Sequence, residues 1–225
     1  MKLNAIALAV ALTAFGPPTP AAAASDEQLW TNTSLGVKLN DRWRLSEELT
    51  TRWSDNRNGL YEVESSTLIG FRVAGGVTLW AGYVHSPQYS GGNFTALERR
   101  AREQITFDSL ARIGKGKLSG RIRLEQRWRD NADGTGWRAR PQLKYSLPIK
   151  GKTALNFSNE TFLNLNTTTF QKQSGLDRMR NLVTISTPIT KKLTGEVGYL
   201  NQHGFVRGGE DTSDNVAYFG VALSL

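Results

Sequence analysis

The sequence predicts an all-β fold, an antiparallel transmembrane β-barrel of 10–12 strands with short turns at one end and longer loops at the other. Three observations predict it. Apolar and polar residues alternate with a period of two, the alternating segments are long, and short connections alternate with longer ones. Soluble strands average about five or six residues, whereas a tilted strand needs about 10 to cross a bilayer.

The clearest alternating segment is residues 117–129, KLSGRIRLEQRWR. Its even positions, from Leu118 to Trp128, are mostly apolar, and its odd positions, from Lys117 to Arg129, are mostly charged. Successive side chains of a β-strand point to opposite faces, so this pattern separates the two sets. The charged face meets water in a soluble sandwich and lines the lumen in a membrane barrel. This segment alone leaves both folds open.

Residues 1–24 have the layout of a secretory signal peptide. Lys2 precedes an apolar run from Ala5 to Phe15, and Ala22–Ala24 form a small-residue cleavage site. A membrane-anchoring helix would need about 20 continuous apolar residues, and this run is shorter. We therefore expect residues 25–225 to form a single barrel domain outside the cytoplasm.

Composition limits the chemistry that the chain can perform. It has no cysteine and two histidines among 225 residues, so disulfides and thiolate metal sites are excluded and a transition-metal site is not expected. We expect no cofactor, no metal and no catalytic residue. The net charge of +8 suits an anionic partner. Nucleic acid is discounted as that partner because the signal peptide directs the chain out of the cytoplasm.

Eleven alternating segments follow the signal peptide. They span residues 29–39, 42–54, 61–73, 77–85, 101–113, 117–129, 137–147, 153–163, 177–187, 192–202 and 215–225. Bacterial single-chain barrels have an even number of strands. The sequence therefore predicts either ten wall strands, with the first segment outside the wall, or twelve, with one further strand.

The connections between these segments alternate between tight turns and longer polar loops. The tight turns are 40–41, 74–76, 114–116, 148–152 and 188–191, and the longer loops are 86–100, 130–136, 164–176 and 203–214. This rhythm is typical of outer-membrane barrels, in which the short turns are periplasmic. Greek-key connections in a sandwich would not produce it.

The last segment, NVAYFGVALSL, is an alternating apolar strand at the end of the chain. It is similar to the C-terminal signal by which bacterial outer-membrane proteins are recognised by their assembly machinery. The residues that carry the similarity are Phe219, Val221, Leu223 and Leu225. The signal usually finishes on an aromatic residue, where this chain has leucine.

The same alternation assigns a set of charged side chains to the lumen. These are Arg44, Glu48, Arg52, Glu62, Glu64, Arg72, Arg121, Arg123, Glu125, Arg127, Arg129, Arg138, Arg140, Lys144 and Glu160. Three polar residues fall instead on the lipid face, namely Glu47, Glu103 and Asn159. Because charge is costly at the bilayer centre, we expect Glu47 and Glu103 near a membrane boundary or in a shifted register.

Four stretches resemble a family of bacterial outer-membrane proteins grouped as domain of unknown function 2490. They are QLWTNTSLGVKLNDRWRLSEELTTRW (28–53), LWAGYVHS (79–86), RIRLEQRWR (121–129) and WRARPQLKY (137–145). The resemblance implies an outer-membrane β-barrel of a Gram-negative bacterium. It implies no catalytic residue and no substrate.

Several functions remain open at this point. The lumen is either filled by Arg–Glu ion pairs with a structural role, or it is a narrow porin-like channel that prefers a small anionic solute. The expected partners are outer-membrane lipids and the assembly machinery. The alternatives are a lipid-modifying hydrolase, using His85 or His203, and a soluble periplasmic β-sandwich binding protein. His85 and Ser86 are adjacent on a strand, so they point to opposite faces and cannot easily form a catalytic pair.

Overall fold

The computed structural model describes residues 24–225 and is built from β-strands. The predicted signal peptide lies outside the described residues, apart from Ala24. Among residues 24–225 no helix is long and apolar enough to span a membrane. The strands are β1 (Ala24–Lys38), β2 (Trp43–Ser54), β3 (Gly59–Ala74), β4 (Val77–Ser90), β5 (Asn93–Ile113), β6 (Gly116–Arg129), β7 (Gly136–Lys150), β8 (Thr153–Asn164), β9 (Gly175–Pro188), β10 (Leu193–Gly204) and β11 (Thr212–Ser224).

These strands form one closed barrel, which confirms the predicted all-β class. Each strand is antiparallel to its neighbours in sequence, and β1 closes the barrel by pairing with β11. A sandwich of two separate sheets, the alternative considered from the sequence, is wrong. The apolar outer residues and charged inner residues are the arrangement expected of a membrane barrel.

The expectation of an even strand number is wrong, because residues 24–225 form eleven strands. With an odd number, the first and last strands run in the same direction. Accordingly β1 and β11 pair in parallel, from Ala24 opposite Thr212 to Gly36 opposite Ser224. The first predicted segment is thus a full wall strand with a partner on each side.

The connections lie at two ends of the barrel. The turn end carries residues 39–42, 75–76, 114–115, 151–152 and 189–192, and the loop end carries residues 55–58, 91–92, 130–135, 165–174 and 205–211. The predicted long loop over 86–100 is wrong. There β4 and β5 continue to a two-residue turn, which is possible because Gly91 and Gly92 both adopt positive φ, 55° and 77°.

The two faces of the wall differ in chemistry along most of the strands. On β6, Ile122 is 52% exposed on the outer face, while its neighbour Arg123 is 4% exposed inside the barrel. Leu143 and Phe219 are likewise exposed on the outer face. A period of two in the sequence thus becomes an apolar outer surface and a charged interior.

The polar residues assigned to the outer face lie there, but Glu47 and Glu103 are in mid-strand rather than near an end. The carboxylate of Glu47 accepts hydrogen bonds from Ser65 Oγ, at 2.9 Å, and from Thr67 Oγ1. Glu103 is exposed near the centre of β5. The one register shift between β2 and β3 lies beyond Glu47, at Arg52/Trp53, so a misread register does not explain its position. The third outer residue, Asn159, donates a hydrogen bond to Asn181, at 2.7 Å.

Candidate functional site: an arginine-rich lumen

The charged residues assigned to the lumen lie on the inner strand positions and differ in how deeply they are buried. Alternation within each strand determines which side chains enter. The buried ones are Arg52, Glu64, Arg123, Glu125, Arg138, Arg140 and Glu160. The partly exposed ones are Arg44, Glu48, Glu62, Arg72, Arg121, Arg127, Arg129 and Lys144.

Glu125 is the centre of the deepest group of ion pairs. Its side chain has no solvent exposure, and its oxygens lie 2.8 Å from Arg102 Nη2, 2.6 Å from Arg138 Nη2 and 3.0 Å from Arg140 Nη1. Arg140 continues to Glu160 at 3.0 Å, and Glu160 lies 2.6 Å from Arg121. A buried carboxylate with several guanidinium donors is held firmly, and removing one member of such a group typically costs about 3–5 kcal/mol.

A second group of ion pairs lies toward the loop end. Glu62 contacts Arg52 at 2.5 Å, and Glu64 contacts Arg100 at 2.9 Å. The Arg102 side chain joins this group to the deeper one, because its Nη2 atom lies 2.9 Å from Glu64 and its Nη1 atom donates to Ser66 at 2.8 Å. The acidic residues of β3 are therefore joined to the arginines of β5 over the inner face of β4, which lies between these strands.

The side of the lumen formed by β9 and β10 contains arginines of a different kind. Arg178 Nη1 and Arg180 Nε donate to the amide oxygen of Gln202, at 3.3 and 2.8 Å. The Arg180 guanidinium lies 4.6 Å from the ring centres of both Trp30 and Phe162. Cation–π contact and an amide oxygen hold these side chains where carboxylates hold the others.

An apolar cluster supports this side of the interior. Trp30, Leu200 and Val216 are buried together, and Leu182 and Tyr218 pack against them. These residues come from β1, β9, β10 and β11, which are neighbours around the closure of the barrel. The inner face is thus apolar beside the closure and charged on the opposite strands.

Two cavities lie inside the barrel. The loop-end cavity has a volume of about 530 Å³. Its basic lining residues are Arg52, Arg57, Arg100, Arg127, Arg129, Arg138, Arg140, Lys172, Arg178 and Arg180, and its acidic ones are Asp26, Glu62, Glu64, Glu98, Asp177 and Asp214. The turn-end cavity, of about 400 Å³, is lined by residues that include Gln104, Arg121 and Lys144.

An ion-pair layer, which we define as Arg102, Arg123, Glu125 and Glu160, lies between the two cavities and lines neither of them. All four residues are buried. Their side chains come from β5, β6 and β8, where they lie between the residues that line the two cavities.

Several lumen residues were missed from the sequence, most importantly Glu98, Arg100 and Arg102. Glu98 and Arg100 lay within the predicted loop 86–100, so their alternation with apolar neighbours was not assigned to a strand. The spacing of two from Ala96 to Arg102 was the signal that could have extended β5. Arg178 and Arg180 lie on the inner face of the predicted segment 177–187, so its alternation was the signal for two further lumen residues.

The residues considered for catalysis are dispersed. Ser86 is buried and donates to Glu62 at 2.6 Å, while His85, the next residue of β4, is exposed on the outer face. His203, near the end of β10, lies 3.0 Å from Asp211, which is on the loop between β10 and β11. The backbone N–H of Val206, together with His203, lowers the pKa of Asp211 from its usual value. Ser86 thus serves the lumen network, and His85 lies on the other side of the wall.

The residues of the predicted assembly signal lie on the outer face of β11 and at its end. Phe219, Val221 and Leu225 are exposed there, and Leu223 is partly exposed. Leu225 continues the pairing beyond the strand, because its backbone N–H donates to Gly36 O at 2.8 Å.

The closed sheet, the apolar outer face and the charged interior together define a β-barrel of the outer-membrane type. Residues 27–213 match the family described as "Protein of unknown function (DUF2490)". The chain belongs to this family, as the sequence resemblance implied.

The chain is also similar to a further protein sequence and to two solved structures. An uncharacterised protein of Methylorubrum extorquens strain AM1 is 29% identical over 195 residues, which cover 85% of this chain and 84% of the relative. The solved NanC porin is similar to this chain with a TM-score of 0.56 at 13% identity, covering 89% of this chain and 99% of the porin. LpxR from Salmonella typhimurium is more distant, with a TM-score of 0.47 at 8% identity, covering 80% and 83%. At 13% identity, the similarity to the NanC porin shows a common fold.

Proposed function

We propose that the protein is a porin-like barrel of the outer membrane of a Gram-negative bacterium, and that its lumen admits small anions in preference to cations. Its role is passage or binding of a solute rather than catalysis. The outer face would contact membrane lipids, and the exposed residues of β11 would be recognised during assembly. Because the short turns of outer-membrane barrels are periplasmic, the turn end would face the periplasm and the loop end would be extracellular.

The observation that carries this proposal is the charge imbalance of the loop-end cavity. Ten basic side chains line it against six acidic ones. Basic side chains around a pore favour negative solutes, and low-dielectric walls strengthen the field that they produce. A cation entering from the loop end would be repelled before it reached the ion-pair layer.

The ion-pair layer makes any pathway narrow. Arg102 and Glu125 have no exposed side-chain surface, and they lie between the two cavities. Wide aqueous channels belong to barrels of about 16–18 strands, whereas smaller barrels are filled by their own side chains. The expected conductance is therefore small, and passage requires the layer to rearrange.

The ion selectivity of the purified barrel tests the proposal in a planar bilayer. With a potassium chloride gradient across the membrane, the reversal potential should have the sign of an anion-preferring pathway. Replacing Arg57 and Arg129, two basic residues of the loop-end cavity, by glutamine should weaken that preference. The matched control is Arg99→Gln, because Arg99 pairs with Asp130 on the outer side of the wall, at 2.8 Å. Cation preference, or no conductance in any record, would contradict the proposal.

A further inference from the structure

We infer that the loop-end cavity contains a binding site for the oxyanion group of a small solute, a carboxylate or a phosphate, at the guanidinium groups of Arg178 and Arg180. The inference rests on the proposed function and deepens it. It names the chemical group by which a solute would be held inside the lumen, and the residues that would hold it.

The first argument is a missing counter-charge. Most buried arginines of the lumen face carboxylates, as Arg52, which stacks on the same Trp30 ring as Arg180, faces Glu62 and Glu64. Arg123 is an exception, because it donates to the amide oxygen of Gln104. Among residues 24–225 no carboxylate forms an ion pair with Arg180, and Arg178 has only a contact of 3.9 Å with Asp177. The Arg180 guanidinium is enclosed by two aromatic rings, and a charge withdrawn from bulk water requires a partner. Arg178 is 37% exposed to the cavity and can contribute a second guanidinium to an anion from outside the chain.

The second argument is the fixed position of the Arg180 side chain. The rings of Trp30 and Phe162 each lie 4.6 Å from its guanidinium carbon, and its Nε atom donates to Gln202. Within the described part of the chain, its two Nη atoms make no hydrogen bond. Stacking uses the faces of a guanidinium and leaves its N–H edge for a planar oxyanion, so the site is organised before binding.

The neighbouring acidic groups already have partners of their own. Asp214 accepts a hydrogen bond from Gln202 Nε2 at 2.5 Å, and Asp177 accepts one from Asn164 at 3.0 Å. The same residues line the cavity of about 530 Å³, which gives a small solute room beside the two arginines. The site therefore combines two donors without a carboxylate, a fixed geometry and space.

Equilibrium binding to the full barrel in lipid nanodiscs tests this inference. Isothermal titration calorimetry is performed with succinate, with inorganic phosphate and with succinamide, which resembles succinate in shape and has no charge. We expect saturable binding of at least one oxyanion and none of succinamide. Tighter binding of succinate assigns the site to carboxylates, and tighter binding of phosphate assigns it to phosphorylated solutes.

Two double variants locate the site. Replacing Arg178 and Arg180 by glutamine should weaken oxyanion binding at least tenfold, whereas Arg112→Gln, an exposed arginine near the turn end of β5, should leave it unchanged. The second variant combines Gln202→Glu with Asp214→Asn. It places a carboxylate on the two arginines, keeps a hydrogen bond between the two positions and leaves the net charge unaltered. It should also abolish binding.

Heat-modifiable migration of each variant on gels shows that it remains a folded barrel. Equal binding by wild type and both double variants would overturn the inference, as would absence of saturable binding by either anion. These outcomes differ from failure of the proposed function, because binding is measured without any current. Anion-selective conductance without saturable binding would leave the proposed function standing and refute this site alone.

Discussion

Glu47 is an acidic residue whose position on the lipid face is costly for the fold. It lies on the outer face in mid-strand, beside the carboxylate of Glu48 that points inward. Two hydroxyl groups, those of Ser65 and Thr67, donate to it and partly replace water. A basic side chain on the lipid face at the bilayer centre costs about 2–4 kcal/mol, and an acidic one less.

Glu47→Gln should therefore stabilise the barrel. The amide oxygen accepts from one of the two hydroxyl groups and the amide NH2 donates to the oxygen of the other, while the charge is removed from the lipid face. We expect the free energy of unfolding to rise by up to about 2 kcal/mol. Urea unfolding in lipid vesicles, followed by tryptophan fluorescence, measures it. The control is Glu48→Gln, because Glu48 lies inside and accepts from Asn32 at 2.9 Å. Equal or lower stability of the Glu47 variant would show that this carboxylate is not exposed to lipid.

At this scale, the sequence predicted much of the interior and the structure explains the rest. Alternation assigned Glu125 and Arg140 to the inside because the side-chain period of a strand is two. It could not assign Glu98, since glycine, serine and asparagine at positions 90–93 resembled the middle of a long loop. Which arginine faces which carboxylate depends on strand register, and alternation within one strand carries no such information.

At the scale of elements, the closure between β1 and β11 distinguishes this barrel. All other neighbouring strands follow each other in sequence and run antiparallel. The closing strands run parallel and are joined by a register that includes Thr33 opposite Val221. Trp30 and Val216, which lie on these two strands, are buried in the apolar cluster that supports the closure from inside.

A cysteine pair tests this closure directly. Thr33→Cys combined with Val221→Cys should form a disulfide on mild oxidation, because opposite residues of paired strands are close enough for the bond. The chain has no cysteine, so no other thiol competes. The product is measured as a shift in non-reducing electrophoresis that a reductant reverses.

The mismatched pair Thr33→Cys with Ala217→Cys is the control. Its second position is four residues away from the partner of Thr33 on the same face, which is about 13 Å along the strand. It should remain reduced. Efficient cross-linking of the mismatched pair, or none of the matched pair, would mean that β1 does not meet β11 in this register.

The strand number could not be predicted because closure is a long-range property. Each segment was recognised from its own alternation, and the bounds differ from the observed strands mainly at the loop end of β4 and β5. The even strand number of bacterial single-chain barrels predicts ten or twelve strands, and this chain departs from it. The alternation of β1 alone does not predict that β11, its second neighbour, runs parallel to it.

At the scale of the whole molecule, the lumen contains a loop-end cavity and a turn-end cavity, with the ion-pair layer between them. The loop-end cavity is the larger, with about 530 Å³ against about 400 Å³. Arg102 and Glu125 are the most enclosed pair of the layer, since neither side chain has any exposed surface. Joining the two cavities requires these side chains to move or to be shortened.

Replacing Arg102 and Glu125 together by serine should raise the conductance several-fold. The pair is removed with no change in net charge, so the variant opens space while the basic lining of the loop-end cavity maintains anion preference. The matched control is the pair Arg99→Ser with Asp130→Ser, which is equally balanced in charge and lies on the outer side of the wall. Planar-bilayer recordings measure both. If the two variants conduct alike, the layer is not the barrier.

The parallel closure also bears on how such a barrel can arise. Duplication or deletion of a β-hairpin adds or removes two strands, so it keeps the strand number odd or even. A wall of eleven strands differs from any even-numbered barrel by an odd number of strands, so hairpin events alone cannot connect the two, and a strand must be gained or lost singly at a terminus. Such an event reverses the side of the bilayer on which that terminus lies. A lineage crossing between the two kinds of barrel would have to change the topology of its first or last strand in one step.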